Sequence, residues 1–475
     1  GDVTFVGPVL SGGSVNGENI TLTASDGLVV GGVVSSALGV GGNLVVSGAT
    51  LSGEVTVGDG DVVIQGGSVD LIVDSAIVTD GDVTLTALRD VIVNAVVDAD
   101  NGGSIIVSAD TNSAIDPGAG VGGHGGVRVT TAGQLDAEGA VTATGSDLFV
   151  TTGQADSVLV DADGAVAQVL AVGDITLADG SNAPANASTI INGVVQTSGE
   201  AAMITVTSER DVFIGAFGGL VSVDGTITIT ADTRAGLNGG VVSMTDGGNV
   251  SSEVGQIVIA ADGNVTLGSL STGSMSDNAV ELTTTSGAVV DGGDTGTDVN
   301  ANSGGLIIRS DAGVGVGNAI ETSVARVDVE NAAGAIHLSE SDDVSIESLN
   351  QLGLGDILFE ANAGTVEVLA TGLGVTGSDN VRLASLGHDL IVDTAVVSGT
   401  GNITLDAGND LAVNASVATG GTGTLYLASG NNATVASQLS NASGDLLIES
   451  VGDISQSAAI TSTSGDVGLI AGGTL

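Results

Sequence analysis

GDVTLTALRDVIVNAVV, residues 81–97, returns as GNITLDAGNDLAVNASV at residues 401–417, with nearly the same apolar positions and the same internal Asp. Recurrence of this kind marks a repeat protein, in which one unit cannot bury its apolar face alone and stacking supplies the core. Within the phrase, Val83 and Leu85 alternate with Thr84 and Thr86, the period of a strand with one buried face. After a short turn comes a second strand headed by Asp: DVIVNA from Asp90, DVFIGA from Asp211, DLIVDTA from Asp389 and DLAVNA from Asp410.

Outward from this phrase, Gly followed by Asp or Asn and alternating apolar residues recurs at Gly60, Gly81, Gly173, Gly263, Gly355, Gly401, Gly444 and Gly465. Gly60 to Gly81 and Gly444 to Gly465 are each 21 residues, and Gly355 to Gly401 is 46, two units of 23. The spacing predicts an all-β chain, a parallel β-solenoid with coils of about 21–23 residues, about 21 of them if the unit runs through residues 1–475 as one continuous solenoid segment. Four stretches break the pattern and are expected to leave the coil as loops: 110–126, 182–200, 289–305 and 372–377.

Composition agrees. The 475 residues include 78 Gly, 3 Pro, no Cys, no Trp and one Tyr, yet 42% are hydrophobic, chiefly small and β-branched. The 56 acidic residues face seven basic ones, all Arg (Arg89, Arg128, Arg210, Arg234, Arg309, Arg326 and Arg382), for a formal net charge of -49. That balance argues against nucleic acid, which needs a basic stripe, and against an anionic membrane surface. Without Cys there are no disulfides, thiolate chemistry or sulfur-ligated metals. No apolar run is long enough for membrane insertion. The chain opens on GDVTF and closes on GDVGLIAGGTL, both repeat phrases, as expected of a portion of a longer chain.

GDVTLTALRDVIVNAVV, SDNVRLASLGHDLIVDTAVV and GNITLDAGNDLAVNASV resemble the repeat region of filamentous-haemagglutinin-like exoproteins and related autotransporter passengers of bacteria. The resemblance covers most of the chain in rhythm and rests on short, degenerate motifs. It implies a right-handed parallel β-helix, export through an outer membrane and a role as an adhesive fibre or stalk. The N-terminal secretion domain and C-terminal barrel of such proteins are not in this sequence, and the lack of Lys is atypical.

Several groups invite a chemical reading. Glu340, Asp342 and Asp343, with Ser341 between and His337 near, form the densest acidic cluster. Glycosidase carboxylates must converge on one face at about 5–9.5 Å, whereas adjacent strand residues point to opposite faces. Aromatic platforms for sugars are scarce: Phe5, Phe149, Phe213, Phe217, Phe359 and Tyr426. His124, His337 and His388 are isolated and read as solvent-facing. No catalytic residue and no cofactor-binding residue is assigned.

Calcium is the cofactor to weigh, because Asp59, Asp61, Asp98, Asp100, Asp291, Asp294 and Asp298 occur with Gly and Asn as hard oxygen donors. Neither the EF-hand spacing nor the calcium-binding nonapeptide is present. The strand-heading Asp90, Asp211, Asp389 and Asp410 recur too regularly for a unique site; they read as corner residues whose carboxylates accept backbone N–H bonds. Stacked at about 4.8 Å they would repel, so the ladders predict counter-ions, or Asn and Ser between them. Paired Thr residues, such as Thr84 with Thr86 and Thr205 with Thr207, suggest an ice-binding array, but they do not recur on every coil.

The sequence therefore points to a non-enzymatic extracellular structural or adhesive fibre at a bacterial cell surface. Its expected partners are other copies, associating end to end into filaments, and a host or neighbouring-cell surface or glycan. The alternatives are a carbohydrate-active β-helix enzyme and a calcium-dependent surface-layer protein.

Overall fold

In this computed structural model the described residues are 61–65, 70–88, 90–100, 102–109, 127–130, 133–144, 168–178, 188–232, 239–293, 296–370, 372 and 374–475; further strands, without their side chains, are described within 3–57 and at 126, 145, 147–151 and 179. Every strand pairing is parallel, and no α-helix is present among the described residues. The fold is a parallel β-solenoid. Backbone contacts divide the chain into two compact units, residues 1–255 and 256–475.

Each regular coil holds three strands, one more than the two expected. The stretch read as a second strand, DVIVNAVVDA, bends at Asn94 and splits into Val91–Val93 and Val96–Ala99. The same division gives Leu411–Val413 and Val417–Thr419. Asn supplies this corner: Asn94 Nδ2 donates to Asp74 Oδ1 of the preceding coil at 2.7 Å, and Asn414 Nδ2 to Asp393 Oδ1 at 2.7 Å.

The expected coil length holds where Val83 pairs with Val62 and Ile105, and where Leu425 pairs with Ile403 and Leu446, advances of 21 or 22 residues. Elsewhere the coil is longer. Ile105 pairs with Val141 and Val141 with Ile175, advances of 36 and 34 residues, so the coil is not of uniform length. Loops between paired strands lengthen the sequence step without disturbing the wall, because closing a longer loop costs little extra entropy.

The loop boundaries need correction. Within 182–200, Ser188–Asn192 and Val194–Thr197 are wall strands; within 289–305, Val289–Asp291 and Val299–Asn300 are; within 372–377, Gly374–Gly377 is. Their Gly, Asn and Ser content obscured short strands that pair only with other coils. Residues 110–125 lie outside the described set.

Inside each unit, inward side chains stack in register. Ile403, Leu425 and Leu446 form one column, and Leu405, Leu427 and Ile448 the next, all buried. Phe359, the largest fully buried side chain, lies between Leu338 and Leu383 of the neighbouring coils.

Candidate functional site

The repeated Gly-Asp/Asn phrase is a stacking device. In seven of its eight occurrences the Asp or Asn side chain accepts the backbone N–H of the equivalent corner one coil on: Asp61 from Asp82, Asp82 from Ser104, Asp174 from Met203, Asn264 from Ala288, Asp356 from Asn380, Asn402 from Thr424 and Asp445 from Asp466. The distances run from 2.7 to 3.1 Å. A charged acceptor makes the stronger bond, and a backbone N–H left unpaired at a packed corner would be costly.

The Asp heading the second strand does the same. Asp389 Oδ1 accepts from Asp410 N at 3.1 Å, Asp410 Oδ1 from Asn432 N at 2.9 Å, and Asn432 Oδ1 from Asp453 N at 3.1 Å. Asp70 serves Asp90, and Asp211 serves Val241. Asn432 interrupts the carboxylates between Asp410 and Asp453, whereas Asp389 and Asp410 follow one another directly, so the expected interruption holds at some corners and not at others. On the outer wall Arg382 supplies a counter-ion, 2.5 Å from Glu360 on the coil before and 3.6 Å from Asp406 on the coil after.

Among the described residues, one group brings three carboxylates together. Asp291 ends the strand Val289–Asp291, Asp298 precedes Val299–Asn300, and Glu321 lies on Ile320–Ser323; their carboxylate oxygens lie within 4.8 Å of one another. Backbone pairing fixes two of the three: Asp298 N donates to Glu321 O at 2.9 Å, and Glu321 N donates to Asp298 Oδ2 at 2.9 Å. Asp291 accepts from Gly293 N at 2.9 Å and from Asn318 Nδ2. Asp298 is 2% exposed. Burial, reinforced by the charges of Asp291 and Glu321 and opposed by the Glu321 N–H, pushes its carboxyl up to about 8. Without a cation the group therefore holds a proton at neutral pH. With one, three hard oxygens are in place, and a calcium ion would take further oxygens to reach six or more.

Of the calcium candidates, the structure thus unites Asp291 and Asp298 and adds Glu321, which sequence reading missed. No Gly or Asn cluster flags Glu321; it becomes a neighbour only because the coil register places it 23 residues after Asp298. Asp59 and Asp294 lie outside the described residues. Asp61 is a corner acceptor. Asp98 faces outward opposite Asp136 on the next coil, and burial, with Asp100, Asp136 and Glu138 nearby, raises its carboxyl pKa; Asp100 is exposed.

The other acidic cluster separates. Glu340 turns fully into the interior, where Thr322 Oγ1 donates to its Oε2 at 2.7 Å and Ser341 N to its Oε1 at 2.8 Å. Asp343 accepts from Thr365 N at 2.7 Å as a corner residue, and Asp342 is exposed. His337 is half-buried on the outer face, its pKa lowered by burial against the opposing charge of Glu360; His388 is exposed. The expectation of a solvent-facing side chain fits His388 better than His337. His124 lies outside the described residues. Tyr426 donates to Glu449 at 2.8 Å, and Phe359 is buried, so neither offers a free sugar platform.

Compared with protein-family models, curated proteins and solved structures, the chain matches none.

Proposed function

We propose that this chain is a non-enzymatic structural or adhesive solenoid, displayed outside a bacterial cell in the manner of the haemagglutinin-like repeats it resembles. The observation carrying this reading is the corner ladder: the most regular polar side chains are spent joining one coil to the next. A shallow cavity over Asp136, Leu170 and Gln196 has a volume of about 190 Å³, below the usual range for small-molecule pockets. Self-association end to end has a physical basis, because each coil presents parallel edges that another coil can satisfy.

The test is retention on immobilised glycans and on host and bacterial cells, with sedimentation across a concentration series. Saturable binding without new reducing ends or unsaturated sugars, and concentration-dependent assembly, are expected. Glycan cleavage would move the protein to the carbohydrate-active class, and a strictly monomeric species would remove filament formation.

A second reading, calcium-stabilised assembly at the cell surface, is favoured by the trio Asp291, Asp298 and Glu321. Calcium must displace the proton that Asp298 holds, so its affinity should rise as pH increases toward and through about 8. At a hundredfold excess over its dissociation constant it would add about 2.7 kcal/mol, visible as a raised Tm. Asp298→Asn should abolish the rise; a wild-type Tm insensitive to millimolar calcium would eliminate this reading.

A further inference from the structure

The paired threonines, irregular in sequence, become regular once the coils are in register. In the first unit, six strands stack on one wall: Val83–Thr86, Ile105–Ser108, Val141–Gly145, Ile175–Asp179, Ile204–Thr207 and Ile227–Thr230. Their five parallel pairings run without a register shift. One outward column reads Thr84, Ile106, Thr142, Thr176, Thr205 and Thr228. Two residues further along each strand a second column holds Thr on four coils, with Ser108 and Ala178 on the other two. The long coils between Ile105 and Ile204 hide this order from a search for a fixed period.

Three properties set this wall apart. None of its twelve outward side chains is charged, in a chain of net charge -49. Nine of them are Thr, which is stiff at χ1, so hydroxyl and methyl are held in place with little entropy left to lose; the Thr86 hydroxyl is itself buried, and the Thr144 hydroxyl donates to Ser108 Oγ at 3.2 Å. The array is also two-dimensional: about 4.8 Å from coil to coil and about 6.7 Å between alternate residues along a strand. These two repeats lie close to the oxygen repeats on a prism face of hexagonal ice. Water held over the methyls and anchored by the hydroxyls would be ordered on a grid near that of the crystal, without a charged group to impose its own hydration shell.

We propose that this threonine wall is an ice-binding surface. Each hydroxyl contact with ice is weak, and the rigid array makes them simultaneous, so affinity arises from the number of aligned rows. The inference goes beyond the structural and adhesive reading and does not depend on it: the wall can bind ice whether or not the protein also binds a cell or glycan.

The test is thermal hysteresis and crystal shaping with the whole chain, together with partition into a slowly grown ice hemisphere. The wild type should facet ice and enter it. Thr176→Lys combined with Thr205→Lys, at the centre of the array, should lower hysteresis by ~10-fold or more, as expected when an avidity array is broken. Ser243→Lys, on an outward position of the strand Val242–Met244, should leave it unchanged, with circular dichroism confirming the fold of both variants. A wild type without hysteresis or partition into ice overturns the proposal, as does equal loss in both variants. Loss of self-association in the threonine variant, with no ice activity in the parent, would instead identify the wall as an interface between copies.

Discussion

Glu340→Gln should raise the thermal stability of the second unit at pH 9 and leave it nearly unchanged at pH 4. Burial is the main cause that pushes this carboxyl up to about 8; Asp342 adds to it, while the Thr322 hydroxyl and Ser341 N–H act in the other direction. Below about pH 4.5 the group is protonated in both folded and unfolded chains, and no linkage penalty arises. Between about 4.5 and about 8 the unfolded chain releases the proton while the folded chain keeps it, so stability falls as pH rises. Above about 8 the loss is complete. At about 1.4 kcal/mol per pKa unit, it is on the order of 4–5 kcal/mol. Gln keeps the shape and an acceptor for Thr322 without the charge. Melting curves of both proteins from pH 4 to 9, with hydrogen exchange over residues 320–345, would measure the difference. Parallel pH profiles for parent and variant would refute the assignment.

Gly423→Ala should destabilise the same unit by about 1–3 kcal/mol or more, the scale of overpacking into a rigid neighbour. A Cβ there would lie 2.0 Å from Gly401 O and 2.3 Å from Gly401 C. The pattern continues up the corner: a Cβ on Gly444 would meet Gly423 O at 2.2 Å, and one on Gly465 would meet Gly444 O at 2.0 Å. The carbonyls beneath are not free to move. Gly401 O accepts from Thr419 Oγ1 at 3.1 Å, Gly423 O from Asn441 Nδ2 at 2.9 Å, and Gly444 O from Ser462 Oγ at 3.0 Å. Gly387→Ala is the control, since a Cβ at Gly387 has nothing within 4 Å and should change stability by no more than about 0.5 kcal/mol. Equal losses in the two variants would show that coil contact does not govern the glycine requirement, since removing a glycine by itself restricts the unfolded chain and favours folding.

The Gly-Asp/Asn phrase was legible because its two residues do local jobs on every coil: Gly lets backbones approach, and Asp or Asn caps the next N–H. Corner residues repeat with the chain, so period and composition reveal them. Glu340 was legible only as part of an acidic run. Whether its side chain enters the core depends on the turn between Ile336–Glu340 and Val344–Gln351, and on Thr322 being directly opposite it in the preceding coil.

The sequence by itself determined the class of fold, the parallel coil and its stacking chemistry, because strand alternation, Gly corners and recurrent Asp are consequences of local sterics and hydrogen bonding. Tertiary structure alone decided which distant side chains became neighbours. The carboxylates of Asp291 and Asp298 meet Glu321, and Thr142 stands between Ile106 and Thr176, only after loops of unequal length have been absorbed into a common register. Hydrogen bonding between coils fixes that register strand by strand, and loop length leaves almost no trace in it.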